Sequence, residues 1–214
     1  MWSRVRDAVS VLVGGNAGEV AFTVLGTAFG GRAPIGTRQL LLVNLLTDMF
    51  PALAVAVAAP RRSVPDEGEG PLAGHPLAEV LLAGPHRDFT EELRRVVLTR
   101  GAATAFGATG AWAVGRLTGL RGRAGTMGLA ALIATQLGQT AWMGRRSPLV
   151  LATAAGSLAV LAVVVQTPGL SGFFGCQPLD PLSWLVVLAW AAAGTAGAEL
   201  LPSLISTLRS GGAS

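Results

Sequence analysis

The chain of 214 residues has no lysine, a single cysteine and few charges, with Asp, Glu, Lys and Arg making up 13%. A soluble domain usually carries about 25% charged residues, and a shortfall of this size points to lipid, where charge is costly. Cys176 stands alone, which excludes an internal disulfide and a cysteine metal cluster. His75 and His86 lie in a polar stretch without metal-ligand spacing and read as surface loop residues. No Gly-rich phosphate loop is present. All 16 basic residues are arginine, which reflects coding bias more than chemistry. The net charge is only +4 and the arginines flank apolar runs. Nucleic-acid binding is thereby a poor reading, and topological anchoring beside membrane lipid a better one.

What is abundant is apolar sequence, 51% of residues, with a mean hydropathy of +0.55. Crossing the hydrocarbon takes about 20 mostly apolar residues per helix. Six segments approach that length, 8–29, 40–59, 96–117, 124–143, 148–166 and 182–208, and predict an all-α polytopic membrane bundle. The first follows Arg4 and Arg6 but is too long for a signal peptide and contains Asn16 and Glu19, so an uncleaved span is expected. The Pro-, Gly- and acid-rich stretch 60–95 reads as a loop, its end (88–95) as a short interfacial helix with Thr90 as N-cap. Arginine placement favours both termini in the cytoplasm, although Arg32, Arg38, Arg116, Arg121 and Arg123 then face outward, against the trend. Gly107, Ala111 and Gly115, and also Gly194 and Ala198, recur at four-residue spacing and predict close helix packing.

The informative residues are polar groups at mid-span depth. Glu19 lies near the centre of the first span, Asp48 near that of the second, and Gln136 just past that of the fourth. An acid at that depth costs roughly 2.5–3.5 kcal/mol unless it meets a partner, water or an ion. Asn16 and Glu19 are three residues apart, and Asn44 and Asp48 four apart with Thr47 beside them, so each set is expected on one helix face. Pro51 lacks an N–H, so the Thr47 carbonyl should lose its helical donor and the second helix should kink or unwind. Two carboxylates with amide, hydroxyl and carbonyl oxygens form a hard-oxygen set suited to Ca²⁺, Mg²⁺ or Mn²⁺. Gln139 reads as packing glue, and Glu199 as a structural acid at the cytoplasmic end of the last span.

The string Gly15-Asn16-Ala17-Gly18-Glu19-Val20 resembles the Ser-Asn-x-Gly-Glu-Val motif on the fifth membrane helix of calcium-type P-type ATPases. The run from Gln39 to Ala52, with Asn44-Leu45-Leu46-Thr47-Asp48 at its heart, resembles their sixth helix. Leu179-Asp180-Pro181-Leu182-Ser183-Trp184 and Glu199-Leu200-Leu201 are similar to the two ends of the tenth. The resemblance covers nearly the whole chain and is nearest an actinobacterial branch. It implies cation-ligand positions at Asn16, Glu19, Asn44, Thr47 and Asp48, with Gln136 where calcium pumps carry a glutamate. It also implies a multi-pass protein of the plasma membrane that carries a divalent cation.

Two positions depart from the pattern. The missing charge at Gln136 weighs against a two-calcium site, and Met49 stands where the family has glycine, which would limit unwinding. The phosphorylation, nucleotide-binding and dephosphorylation motifs of such pumps are absent, as are their first four membrane helices. This polypeptide therefore cannot hydrolyse ATP by that mechanism alone. Two readings follow: a membrane module, as fragment or split-pump half, whose partner is the missing N-terminal part; or a stand-alone non-enzymatic membrane protein that binds cations or regulates a complete pump.

Overall fold

The computed structural model describes residues 2–49 and 87–211. Side chains are described from Val13 to Met49 and from Arg94 to Ala198. Pro51, both histidines, the far half of the second expected span, most of the expected loop and the Glu199 side chain fall outside these ranges. Among the described residues the architecture is all-helical, with no strand. The helices are α1 (Trp2–Gly30), α2 (Thr37–Asn44), α3 (Arg87–Leu117), α4 (Arg121–Met143), α5 (Pro148–Gln166), α6 (Pro168–Phe174) and α7 (Pro181–Gly211). A π-helical turn, Leu45–Met49, continues α2. Two stretches, Pro148–Gln166 and Pro181–Ala198, are long and apolar enough to cross a membrane, with mean hydropathies of 2.3 and 1.4.

Two boundaries differ from expectation. The third span and the interfacial helix before it form one continuous helix from Arg87, so Thr90 is an interior residue and not a cap. Nothing between Arg87 and Leu117 breaks a helix, because that stretch contains no proline. The short α6 was not expected. Pro168 at its first position is pre-set for helix, and Gly175, in the left-handed region at φ 67°, ends it.

α4 is the central helix. Met127, Leu129, Leu132, Ile133 and Leu137 are fully or almost fully buried, and α4 packs against α1, α3, α5 and α7. The pairing of α1 with α3 is parallel and held in register by small residues. A Cβ on Gly14 would lie 3.0 Å from Arg100 Cβ, and one on Gly18 would lie 2.6 Å from Thr104 Cβ. From the other side, a Cβ on Gly101 would meet Ala17 Cβ at 3.1 Å. Backbones this close are what rows of small residues permit within membranes. The row expected on α3 packs as well: Gly107 lies against Thr135, and Gly115 against Ala124 and Met127 of α4.

Polarity is arranged inside out. Glu19, Gln39, Arg100, Thr104, Gln136 and Gln139 are buried, while Val20, Val24, Phe29, Leu185 and Leu188 are exposed. Outward apolar side chains and inward polar ones suit a lipid surround.

Candidate functional site

α1 carries Glu19 into the interior, where it is only 7% exposed. α4 presents Gln136 to it. The two Nε2 protons of Gln136 go to Glu19 Oε1 at 3.1 Å and to the Gly15 carbonyl at 3.2 Å. With both protons committed, Gln136 Oε1 remains as an oxygen donor. Gly15 makes this approach possible, since a Cβ there would lie 3.3 Å from Gln136 Cδ.

The π turn supplies Thr47 and Asp48, both half-buried. The Thr47 hydroxyl lies 3.0 Å from the Val43 carbonyl and 3.2 Å from Asp48 Oδ1, so one proton serves two acceptors. Thr47, Asp48, Gly15, Gln136, Gln139 and Thr140 line a cavity of about 10 Å³. That is close to the smallest space that holds one water-sized body. Glu19 does not line the cavity; it joins the group through Gln136. Among the described residues each carboxylate has a single side-chain donor, and no lysine or arginine lines the cavity. Among the described residues no group of three or more His, Cys, Asp or Glu could hold a metal. The centre is instead two carboxylates completed by neutral oxygens.

The structure brings Glu19, Thr47, Asp48 and Gln136 together and leaves Asn16 and Asn44 apart, both exposed. For Asn16 the reason is angular: three residues along an α-helix leave an offset of about 60°, enough to carry it to the edge of the buried stripe. Asn44 is the last α-helical residue before the π turn and stays on the exposed side.

The π turn is also tied to α5. The Leu46 carbonyl accepts a hydrogen bond from Ser157 Oγ of α5 at 2.9 Å, and Ser157 is buried. Ser157 was not anticipated. Its signal was available, because it is one of few polar residues in the most apolar span. Arg100 was also missed: it is 7% exposed, packed where α3 meets Gly14. Gln139, expected as packing glue, bridges to Thr104 Oγ1 at 3.2 Å and to the Arg100 carbonyl at 3.5 Å, and its side chain also borders the cavity.

The far end of the bundle is braced. Gln166 clamps Leu179 in both directions, Nε2 donating to its carbonyl at 2.8 Å and Oε1 accepting from its N–H at 3.1 Å. Asp180 caps α7, accepting from the Ser183 hydroxyl and pairing with Arg123 at 3.3 Å.

Comparison with known proteins bears on this arrangement. Residues 32–204 match the family described as "Cation transporting ATPase, C-terminus". The chain is 51% identical over 214 residues to "Probable cation-transporting ATPase I" of Mycobacterium leprae (strain TN), covering 96% of this chain and 13% of that protein. It is 54% identical over 215 residues to the protein of the same description from Mycobacterium tuberculosis (strain CDC 1551 / Oshkosh), covering 97% of this chain and 13% of that one. The chain therefore spans about an eighth of the length of these relatives.

Proposed function

Because the chain belongs to the C-terminal region of the P-type cation-transporting ATPases, we propose that Glu19, Asp48 and Gln136 hold the transported cation within its membrane bundle. Thr47 completes the set, and Asn16 and Asn44, both exposed, remain available to helices outside this chain. The observation that carries this reading is Gln136 on the central helix. One end of its amide holds Glu19, and its side chain borders the cavity shared with Asp48 and Thr47.

Two carboxylates in a lipid-surrounded core, each with one side-chain donor, are a poor arrangement for stability alone. A divalent cation would neutralise both. All the donors are oxygen, which suits Ca²⁺, Mg²⁺ or Mn²⁺ as substrate. The cavity, about 10 Å³, accommodates one ion stripped of most of its water, and the missing charge at Gln136 agrees with a single-ion site. ATP hydrolysis belongs to a partner portion carrying the phosphorylation, nucleotide and actuator domains. In this reading the chain has six spans in the plasma membrane, with both termini cytoplasmic.

The test is co-expression with that N-terminal portion and an assay of cation-stimulated ATPase activity across Ca²⁺, Mg²⁺ and Mn²⁺. Glu19→Gln and Asp48→Asn should each abolish stimulation by the active cation. Stimulation unchanged in both variants would remove these residues from the ligand set.

A further inference from the structure

At the end of the bundle away from the α1 N-terminus lies a cavity of about 780 Å³. That is the size of an ordinary small-molecule site. Arg32, Arg38, Arg116 and Arg121 line it, and no acidic residue does. The one described acid nearby, Asp180, is engaged by a fifth arginine, Arg123. With the topology read above, this end faces away from the cytoplasm, the side where arginine is normally scarce. Concentrated positive charge there needs a compensating partner.

The arginines are shaped for one. Arg38 is held by the Phe173 carbonyl at 3.0 Å and lies over the Phe173 ring. Arg116 stacks on Trp112, 5.0 Å from the ring centre. A Cβ on Gly30 would lie 3.0 Å from Arg116 Nη1, so glycine there makes the room. Arg32 and Arg121 are exposed at the rim. The N-termini of both α2 and α4 open onto the same cavity, through Thr37 and Gly122, and add the positive ends of two helix dipoles. Planar guanidiniums lining one cavity together with two helix N-termini form a receptor for tetrahedral oxyanions.

We propose that this arginine-lined cavity between the starts of α2 and α4 binds a phosphate-bearing anion, such as an anionic phospholipid headgroup of the surrounding leaflet. The site is separate from the carboxylate centre, and only its lipid source rests on the membrane reading.

The full chain in neutral detergent is titrated separately with phosphatidylglycerol, phosphatidylcholine and inorganic phosphate, and bound species are measured by native mass spectrometry. Phosphatidylglycerol should bind about tenfold more tightly than phosphatidylcholine, whose choline offsets the phosphate charge. Replacing the two rim residues together, Arg32→Gln with Arg121→Gln, should weaken phosphatidylglycerol binding by about twentyfold. Both side chains are exposed, so the fold should not be at risk. The pair Arg145→Gln with Arg146→Gln, at the opposite end, should leave binding unchanged. Phosphate that displaces phosphatidylglycerol would assign the site to a free phosphate ligand, and phosphate that fails to displace it would assign the lipid; both support the proposal. Equal retention of the two lipids, or undiminished binding in the rim variant, would overturn it.

Discussion

Gly18→Ala sets two opposing effects against each other. Alanine favours a helix over glycine by about 1 kcal/mol. The added Cβ, however, would lie 2.6 Å from Thr104 Cβ, 2.8 Å from Thr104 Cγ2 and 3.0 Å from the Gly101 carbonyl. Carbon atoms pack comfortably at about 3.5–4.0 Å, so the approach falls short by about 1 Å. Neither neighbour yields easily. Thr104 is fully buried and bonded to Gln139, and the Gly101 oxygen is backbone. The helices α1 and α3 must separate, which typically costs about 1–3 kcal/mol. Overlap should therefore outweigh propensity, for a net loss of up to about 2 kcal/mol.

Unfolding in detergent micelles, followed by tryptophan fluorescence, measures this loss. Two comparisons isolate its cause. Gly156→Ala on α5, where an added Cβ meets nothing within 4 Å, should stabilise by up to about 1 kcal/mol. Thr104→Gly should cost less in the Gly18→Ala background than alone, with a coupling of about 1 kcal/mol or more. Should Gly18→Ala prove as stable as Gly156→Ala, the close contact of α1 with α3 would be refuted.

Ser157→Ala should lose about 1–2 kcal/mol in the same assay, because the Leu46 carbonyl loses the hydrogen bond it accepts from Ser157; full stability would mean that this carbonyl needs no partner. The Asp180 carboxyl is held below the usual carboxylate range, first by the Ser183 hydroxyl, then by backbone N–H groups and the Arg123 charge, with desolvation opposing. A lowered value means its stabilisation is present above the ordinary carboxylate range and disappears as pH falls through the lowered one. The melting temperature of Asp180→Asn should therefore lie below that of the unaltered chain at neutral pH, and the gap should close below about pH 4. A gap that persists in acid would show that Asp180 acts through shape and not charge.

Much of this arrangement was legible in the residues because burying charge in lipid is expensive. Glu19, Asp48 and Gln136 stood out by depth alone, and the structure gathers them around one amide and one small cavity. Local periodicity carried less far. It placed Asn16 with Glu19 and Asn44 with Asp48, but both asparagines are on the surface, Asn16 carried to the edge of the buried stripe by an offset of about 60°. The kink expected at Pro51 lies outside the described residues, and the π turn before it was not legible, since a pattern of apolar and polar residues does not distinguish π from α hydrogen bonding. Ser157 and Arg100 were missed for another reason. A lone serine in an apolar span, or an arginine near the start of an expected span, has no meaning until the facing helix is known, and that facing is tertiary information.

The widened turn at Leu45–Met49 has a geometric corollary. An α-helix advances about 100° per residue, so a turn that accommodates an additional residue swings everything after it by roughly that angle. The azimuth at which position 48 enters the core is consequently set by the pitch of the turn as well as by the residue it carries.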